Sequence, residues 1–336
     1  MNKPPNWRPL TTAKPVSDQC VEIDSPVAGS RVRLHRDALV HLLAGQPGPA
    51  SLLDGLAEHG LLDENGDEQW SHEDLAVWQE HGWGLSLSSY AWSRSVPYHD
   101  SGPDEHTNRS EALDSMRSER PCPTPPAADP SAVPLRPPDQ WQTLRLDQVI
   151  ANRRSVGTFR SNKLDQETLA TLLYHGASKI RECRRLSSSA DPRKLLVSVG
   201  AAFDIYTVVF AVEGLDSGVY LYELEPPALS LKRLGDFREE TRTALAGQPD
   251  PTNAAATILL VADFDRYQWR YRHERALRNL YLECGRLMQP LILTGTALGL
   301  RTGITPAIRD ELVAPLLARD NGNWQALHTL TIGRSR

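Results

Sequence analysis

The chain has 336 residues, 37 Lys and Arg against 42 Asp and Glu, and a formal net charge of −5. Domains most often run to about 100–150 residues, so two units are expected. The mildly acidic balance excludes a general nucleic-acid binder, which would be basic.

No stretch approaches the ~20 apolar residues of a membrane span. The longest apolar segment, Leu287–Leu300, is broken by Gln289, Pro290 and Gly295 and reads as a buried helix. An N-terminal apolar run with a basic flank is missing, so a secretory signal is not expected. Cys20, Cys122, Cys183 and Cys284 are scattered without a CxxC pair, as in a reduced, cytoplasmic protein with neither a disulfide frame nor a metal site.

Along the chain, residues 1–20 are polar and proline-containing and read as a frayed lead. A strand is predicted at Ser30–Leu34, then apolar-periodic helical stretches at Ala38–Leu43 and Ser51–His59, the latter stopped by Gly60. Another helix is predicted at Ser71–His81, capped by Ser71 with Glu73 nearby. Trp70, Trp78, Trp83 and Trp92 lie close in sequence; they could line a ligand box, but core packing is the commoner use and the expectation here. Residues 1–117 have the size of a winged-helix-like module suited to binding or dimer bracing.

Residues 118–139 are rich in proline, which fixes φ and lacks the N–H, and so predict an extended, semi-rigid connector at the domain boundary. The second domain takes residues 140–336. Its predicted helices are Leu146–Asn152, Asp165–His175 with Asp165 as cap and Gly176 as stop, and a long one from Tyr271 to Leu298. Its predicted strands are Ile205–Val212, Gly218–Leu224, Thr257–Ala262 and His328–Ile332. Neither GxGxxG nor GxxxxGK[ST] occurs, which disfavours a classical dinucleotide or P-loop fold and leaves an α+β sandwich.

Four constellations could carry chemistry. Arg153-Arg154-Ser155 offers two guanidinium forks and a hydroxyl at a helix end, either a dianion site or a solvated basic turn. Ser198-Val199-Gly200-Ala201, after Arg193, places small residues before a strand, where backbone can approach a flat ligand or simply turn. Arg275, Arg278, Glu283 and Gln289 set polar groups along an otherwise apolar helix, where Arg278 and Glu283 are expected in ion pairs. Gly285 in that helix is expected to allow close helix contact. Lastly, a terminal strand ends in Gly333-Arg334, one more guanidinium for a phosphate or a loose tail.

In this order and spacing the four resemble the nitroreductase superfamily, and within it the SagB-type FMN-dependent dehydrogenases of thiazole/oxazole-modified peptide biosynthesis. The matching residues are RRSxxxF (Arg153–Phe159), R…SxGA (Arg193 to Ala201), VEGLxxGVYxY (Val212–Tyr222), ERAxRxxxLExG…Q (Glu274 to Gln289), ALGL (Ala297–Leu300) and the Gly-Arg end. They cover roughly residues 145–335, and VEGLxxGVYxY is the most specific of them. The resemblance implies a nitroreductase-like FMN-binding sandwich. Arg153, Ser155 and Arg334 would hold the FMN phosphate, with Arg154 near the phosphate or ribityl chain. Ser198, Val199, Gly200 and Ala201 would lie along the flavin ring, Thr302 and Gly303 on its other side, and Gln289 among the flavin-binding positions. It further implies a homodimer with FMN at the interface, and a peptide substrate oxidised from azoline to azole, with a cyclodehydratase or leader-binding partner.

One departure stands out. Azoline-oxidising members place a Lys-Tyr pair just before the ERA motif, whereas here Arg270, Tyr271 and Arg272 occupy that stretch without a lysine. Arginine is a poor base because of its very high pKa. Tyr271 is then the proton-transfer candidate, its phenol eased toward ionisation by a neighbouring guanidinium, or else a packed aromatic. The alternatives are a flavin oxidoreductase acting on a small or carrier-bound substrate with NAD(P)H, and a degenerate flavoprotein bracing a biosynthetic complex.

Overall fold

The computed structural model describes residues 6–44, 49–63, 72–94, 105–141, 144–160, 163–189, 191, 194, 199–320 and 322–334. By contact the chain divides into two compact units, Met1–His99 with His273–Arg278, and Asp100–Arg272 with Asn279–Arg336. The proline-rich segment 118–139 lies inside the second unit.

In the first unit, β1 (Thr12–Pro15), β2 (Cys20–Ser25) and β3 (Ser30–His35) form an antiparallel meander followed by α1 (Arg36–Leu43) and α2 (Ala50–Glu58). The period of two along β2 explains its role. Val21 and Ile23 face a core of Leu34, Leu39, Leu42, Leu56 and Leu61, while Glu22 and Asp24 face Lys14, Arg31 and Arg33 within ion-pair distance. The expectation of a frayed lead is therefore corrected: β1 is held by backbone pairing and by Lys14. Gly60 does stop its helix, at a φ of +66°.

Two further helices, α3 (His72–Glu80) and α4 (Gly84–Arg94), pack around Leu87 and Ala91. The expected tryptophan core holds in part: Trp78 packs partly buried against this cluster and stacks on Tyr90 at 5.8 Å, whereas Trp83 is 58% exposed and Trp92 lies under Arg31. Trp70 and Ser71 lie outside the described residues.

The second unit is built on a seven-stranded antiparallel sheet. Its strands are β4 (Val133–Pro134), β5 (Phe203–Val209), β6 (Gly218–Leu224), β7 (Pro227–Leu234), β8 (Ala256–Asp263), β9 (Leu300–Thr305) and β10 (Trp324–Arg334), in the order β4-β7-β6-β5-β8-β10-β9. All residues of β5 are buried, so the sheet is covered on both faces. Tyr206, Val208, Leu259 and Val261 pack on one side with Phe237 and the helix α12 (Asp310–Leu317), after α9 (Arg238–Ala244). The remaining helices are α5 (Glu105–Glu119), α6 (Leu146–Asn152), α7 (Gln166–Gly176), α8 (Ser178–Ser187), α10 (Phe264–Gln268) and α11 (Arg275–Ala297). An α+β sandwich is what the sequence predicted.

Three local expectations change. The proline-rich segment adds a strand: β4 pairs with β7, Leu135 is buried, and Leu135 N–H donates to Pro227 O at 3.0 Å. Gly176 does end α7, but as its last helical residue with Ala177 as cap, and its missing side chain serves packing, since a Cβ there would stand 2.5 Å from Leu291 Cδ2. Gly285 has the opposite fate: nothing lies within 4 Å of its Cβ position, so it makes no close helix contact.

Candidate functional site

Arg153, Arg154 and Ser155 leave the C-terminus of α6, where unpaired carbonyls carry partial negative charge. Arg154 answers them, its Nη1 donating to Ala151 O at 2.7 Å and Arg153 O at 2.8 Å. The segment then docks on β9: Ser155 bridges Thr302 in parallel, Val156 N–H donates to Thr302 O at 3.0 Å, and the Thr302 hydroxyl donates to Arg154 O at 3.4 Å. Gly303 permits this approach, since a Cβ there would lie 2.5 Å from Val156 O. Phe159 seals the far end against Gly333, where a Cβ would meet its ring at 2.9 Å.

The structure thus brings Arg153, Arg154, Ser155, Thr302, Gly303 and the end of β10 into one region. Arg334 is engaged there with another element. Its Nη2 donates to Asp165 Oδ2 at 2.8 Å and its Nε to Lys163 O at 3.2 Å, and Asp165 caps α7 by accepting from Thr168 N–H at 2.7 Å. Burial would raise the Asp165 carboxyl, but Thr168 and the Arg334 charge hold it below its ordinary value.

A second group forms elsewhere in the unit. Val199, Gly200 and Ala201 make a short 3-10 turn leading into β5, and Gly200 sits where a Cβ would be 3.1 Å from Cys183 Sγ of α8. Val199, Ala201, Arg270 and Tyr271 line one small cavity of about 40 Å³. The Arg270 guanidinium lies 4.7 Å from the centre of the Tyr271 ring, and Tyr267 packs 4.8 Å from that ring. Arg272 turns away, donating to Glu119 Oε2 at 2.7 Å and Trp269 O at 3.1 Å. Gln289 is exposed on α11 and joins neither group. Ser198 and Arg193 lie outside the described residues.

Two features escaped the sequence reading. Beneath the 199–202 turn, Asp204 is buried and paired with Arg266, with Arg184 at 3.1 Å and with Arg319 at 3.6 Å. Arg266 also donates to Ala201 O at 3.2 Å, and Arg184 to Phe203 O at 2.6 Å, so this ion cluster fixes the turn. Burial would raise the Asp204 carboxyl, but Arg266 and Arg184 outweigh it and hold it below its ordinary value. The signal was a lone aspartate in the apolar run FDIYTVV, which demands a partner. The other feature is Arg301, next to Thr302, whose Nε is buried without a hydrogen-bond partner among the described residues. On α11, Glu283 pairs with Arg286 at 2.7 Å, while Arg278 donates to Ser93 Oγ at 3.3 Å.

The layered antiparallel sheet, with a basic helix-end segment docked on a neighbouring strand, defines an α+β protein of nitroreductase type. Indeed, the sequence model described as the Nitroreductase family matches residues 150–334, more than half of the chain, and the chain belongs to that family. It is 26% identical over 273 residues to the trifolitoxin operon protein TfxC of Rhizobium leguminosarum bv. trifolii, covering 77% of this chain and 74% of that protein. It is also 25% identical over 310 residues to the trifolitoxin-processing protein TfxB of the same organism, covering 85% and 79%. A nitroreductase-type protein structure from Anabaena variabilis is similar with a TM-score of 0.48 and 25% identity; the match covers 57% of this chain and spans only 38% of that protein's length.

Among the described residues, no helix is long and apolar enough to cross a membrane. The donor set fits FMN. Cationic forks and a hydroxyl suit the phosphate, and the 199–202 turn offers a wall for a flat ring.

Proposed function

We propose that the chain is an FMN-dependent dehydrogenase, working as a homodimer in the cytoplasm, that oxidises a peptide-borne intermediate from azoline to azole during maturation of a ribosomally made peptide. The observation that carries the flavin part is the docking of Arg153–Val156 on β9 at Thr302 and Gly303, in a chain of this family. Similarity to a protein named for processing trifolitoxin supports a peptide as substrate.

Arg153 and Ser155 would hold the phosphate. Arg334 would join only by giving up Asp165. Val199, Gly200 and Ala201 would back the ring. The cavity against that turn, about 40 Å³, is far smaller than a three-ring flavin, so the ring would lie outside it and be covered by a second copy. Tyr281 and Leu282, 49% and 69% exposed on α11, support such a dimer. FMN, when bound, supplies a two-electron acceptor for the hydride that leaves Cβ. The substrate's Cα proton would pass to Tyr271, over whose ring the Arg270 guanidinium lies. A cyclodehydratase or leader-binding partner would deliver the peptide.

A second reading has its own support. Residues 263–275 hold no lysine, and Arg272 is tied to Glu119, which favours a flavin oxidoreductase using NAD(P)H on a small or carrier-bound substrate. The test is the absorbance spectrum of the purified full chain, with the released cofactor identified, then incubation with an azoline-bearing peptide. Bound FMN that is lost in Arg153→Ala, and removal of two hydrogens from the peptide, are expected. NAD(P)H consumption without peptide oxidation would shift the assignment to the second reading. A colourless protein that refuses added FMN would leave only the degenerate scaffold.

A further inference from the structure

Among the described residues, three buried polar atoms of residues lining one cavity lack a partner at close hydrogen-bond geometry, Arg181 Nη1, Arg184 Nε and Tyr222 Oη, and the Tyr222 hydroxyl faces the Arg181 guanidinium. The cavity measures about 410 Å³ and lies between α8, the sheet strands β5 and β6, and the extended segment 125–128. Its volume falls in the usual range for small-molecule sites, about 300–1,000 Å³. Such groups are costly in a folded protein unless water, a ligand or an ion satisfies them.

The charges around the cavity are unevenly committed. Asp204 is neutralised by Arg266 and Arg184, and approached by Arg319. Glu223 accepts hydrogen bonds from Asp129 N–H and from the Ser230 hydroxyl, which fixes it against its neighbours. Arg181, by contrast, meets the Tyr174 carbonyl at 3.0 Å, the Tyr174 ring at 3.9 Å and the neutral Tyr222 hydroxyl, none of which cancels its charge. Arg185 adds an exposed guanidinium on the same helix. Ile205, Leu221, Leu224 and Pro125 supply apolar wall beside these donors.

Cationic forks, a phenolic hydroxyl and an apolar wall together select an organic acid with an apolar body rather than a bare inorganic ion. We propose that this cavity is a carboxylate-binding site, separate from the residues assigned to FMN, for a peptide carboxylate carried next to an apolar group. Arg184 stays on Asp204 and Phe203 O, so the Arg181 guanidinium supplies the fork for the carboxylate and the Tyr222 hydroxyl beside it donates a further bond. The carboxylate could be a chain end or an acidic side chain, and the probes below separate the two. The inference rests on the second unit alone and stands whether or not flavin binds.

The experiment is calorimetric titration of the full chain with three probes: N-acetyl-leucine (a terminal carboxylate), N-acetyl-glutamic acid α-amide (a side-chain carboxylate), and N-acetyl-leucinamide (uncharged). Saturable binding of at least one acid, with the amide at least tenfold weaker, is expected, and the better acid identifies the source. Tyr222→Phe removes a hydroxyl whose neighbour is the Arg181 guanidinium, so it should change the thermal midpoint little while weakening the acid about tenfold or more. Arg181→Gln should act in the same direction. Equal affinity for acids and amide, no binding by any of them, or a Tyr222→Phe protein that binds the acid as tightly as the parent would overturn the proposal.

Discussion

Replacing Gly303 by alanine tests the docked segment directly. The new Cβ would stand 2.5 Å from Val156 O and 2.7 Å from Pro249 Cγ, whereas ordinary contact begins at 3.4 Å. Taking 3.4 minus 2.5, the Arg153–Val156 segment must retreat by about 0.9 Å. The obstacle is backbone, so rotamer changes offer no relief. Overpacking of this kind costs about 1–3 kcal/mol. At about 2–4 °C per kcal/mol for a unit of this size, the thermal midpoint should fall by about 2–12 °C. Retreat of the segment also moves Arg153 and Ser155 away from Thr302, so FMN retention, the proposed readout, should weaken with it. Gly157→Ala is the control in the same segment, because its Cβ position has nothing within 4 Å. Melting curves and flavin retention of both variants decide the matter. Two variants equal in stability, both retaining flavin like the parent, would refute the docking argument.

Three other outcomes are expected. Asp204→Asn leaves Arg266 and Arg184 without their carboxylate in a buried setting, which should cost about 3–5 kcal/mol; a melting shift below about 3 °C would contradict it. Gly285→Ala, in a helix with open space around the new methyl, should stabilise by about 0.5–1 kcal/mol in denaturant melts, and destabilisation would instead reveal a packed contact. His175 is held below its ordinary value by burial and then by Arg181, and His328 by burial. Both stay neutral in the fold while the unfolded chain takes up protons near pH 6.5, so their contribution is full above that value and is lost as pH falls through the lowered folded values. The unfolding free energy of a His175→Gln/His328→Gln variant should therefore vary less with pH between about 7 and 5.5 than that of the parent; an unchanged slope would count against this account.

Much of the second unit was legible because its signals are local. The β character of Gly218–Leu224, the Asp165 cap and the apolar period of the long helix each depend on residues within a few positions, and each element forms, although the long helix starts at Arg275 rather than at Tyr271. β7 and β9 were not legible. PALSLKRL is half exposed and LRTGIT lies directly behind a helix pattern, so only pairing with β6 and β10 makes strands of them. The same holds for β1, whose four residues are all exposed and are secured by β2.

The candidate site divides along the same line. The sequence by itself determined which residue types are present: paired arginines with a serine at a helix end, a small-residue turn before a strand, and a tyrosine among arginines with no lysine near. Tertiary structure decided their company. It set Ser155 against Thr302 by a bridge across 147 positions of sequence, gave Arg334 to Asp165 and Arg272 to Glu119, and put Tyr271 beside Val199 and Ala201. A guanidinium carries the same charge wherever it stands in the sequence. Which carboxylate, carbonyl or empty cavity it meets depends on how distant strands and helices pack, and no local pattern encodes that.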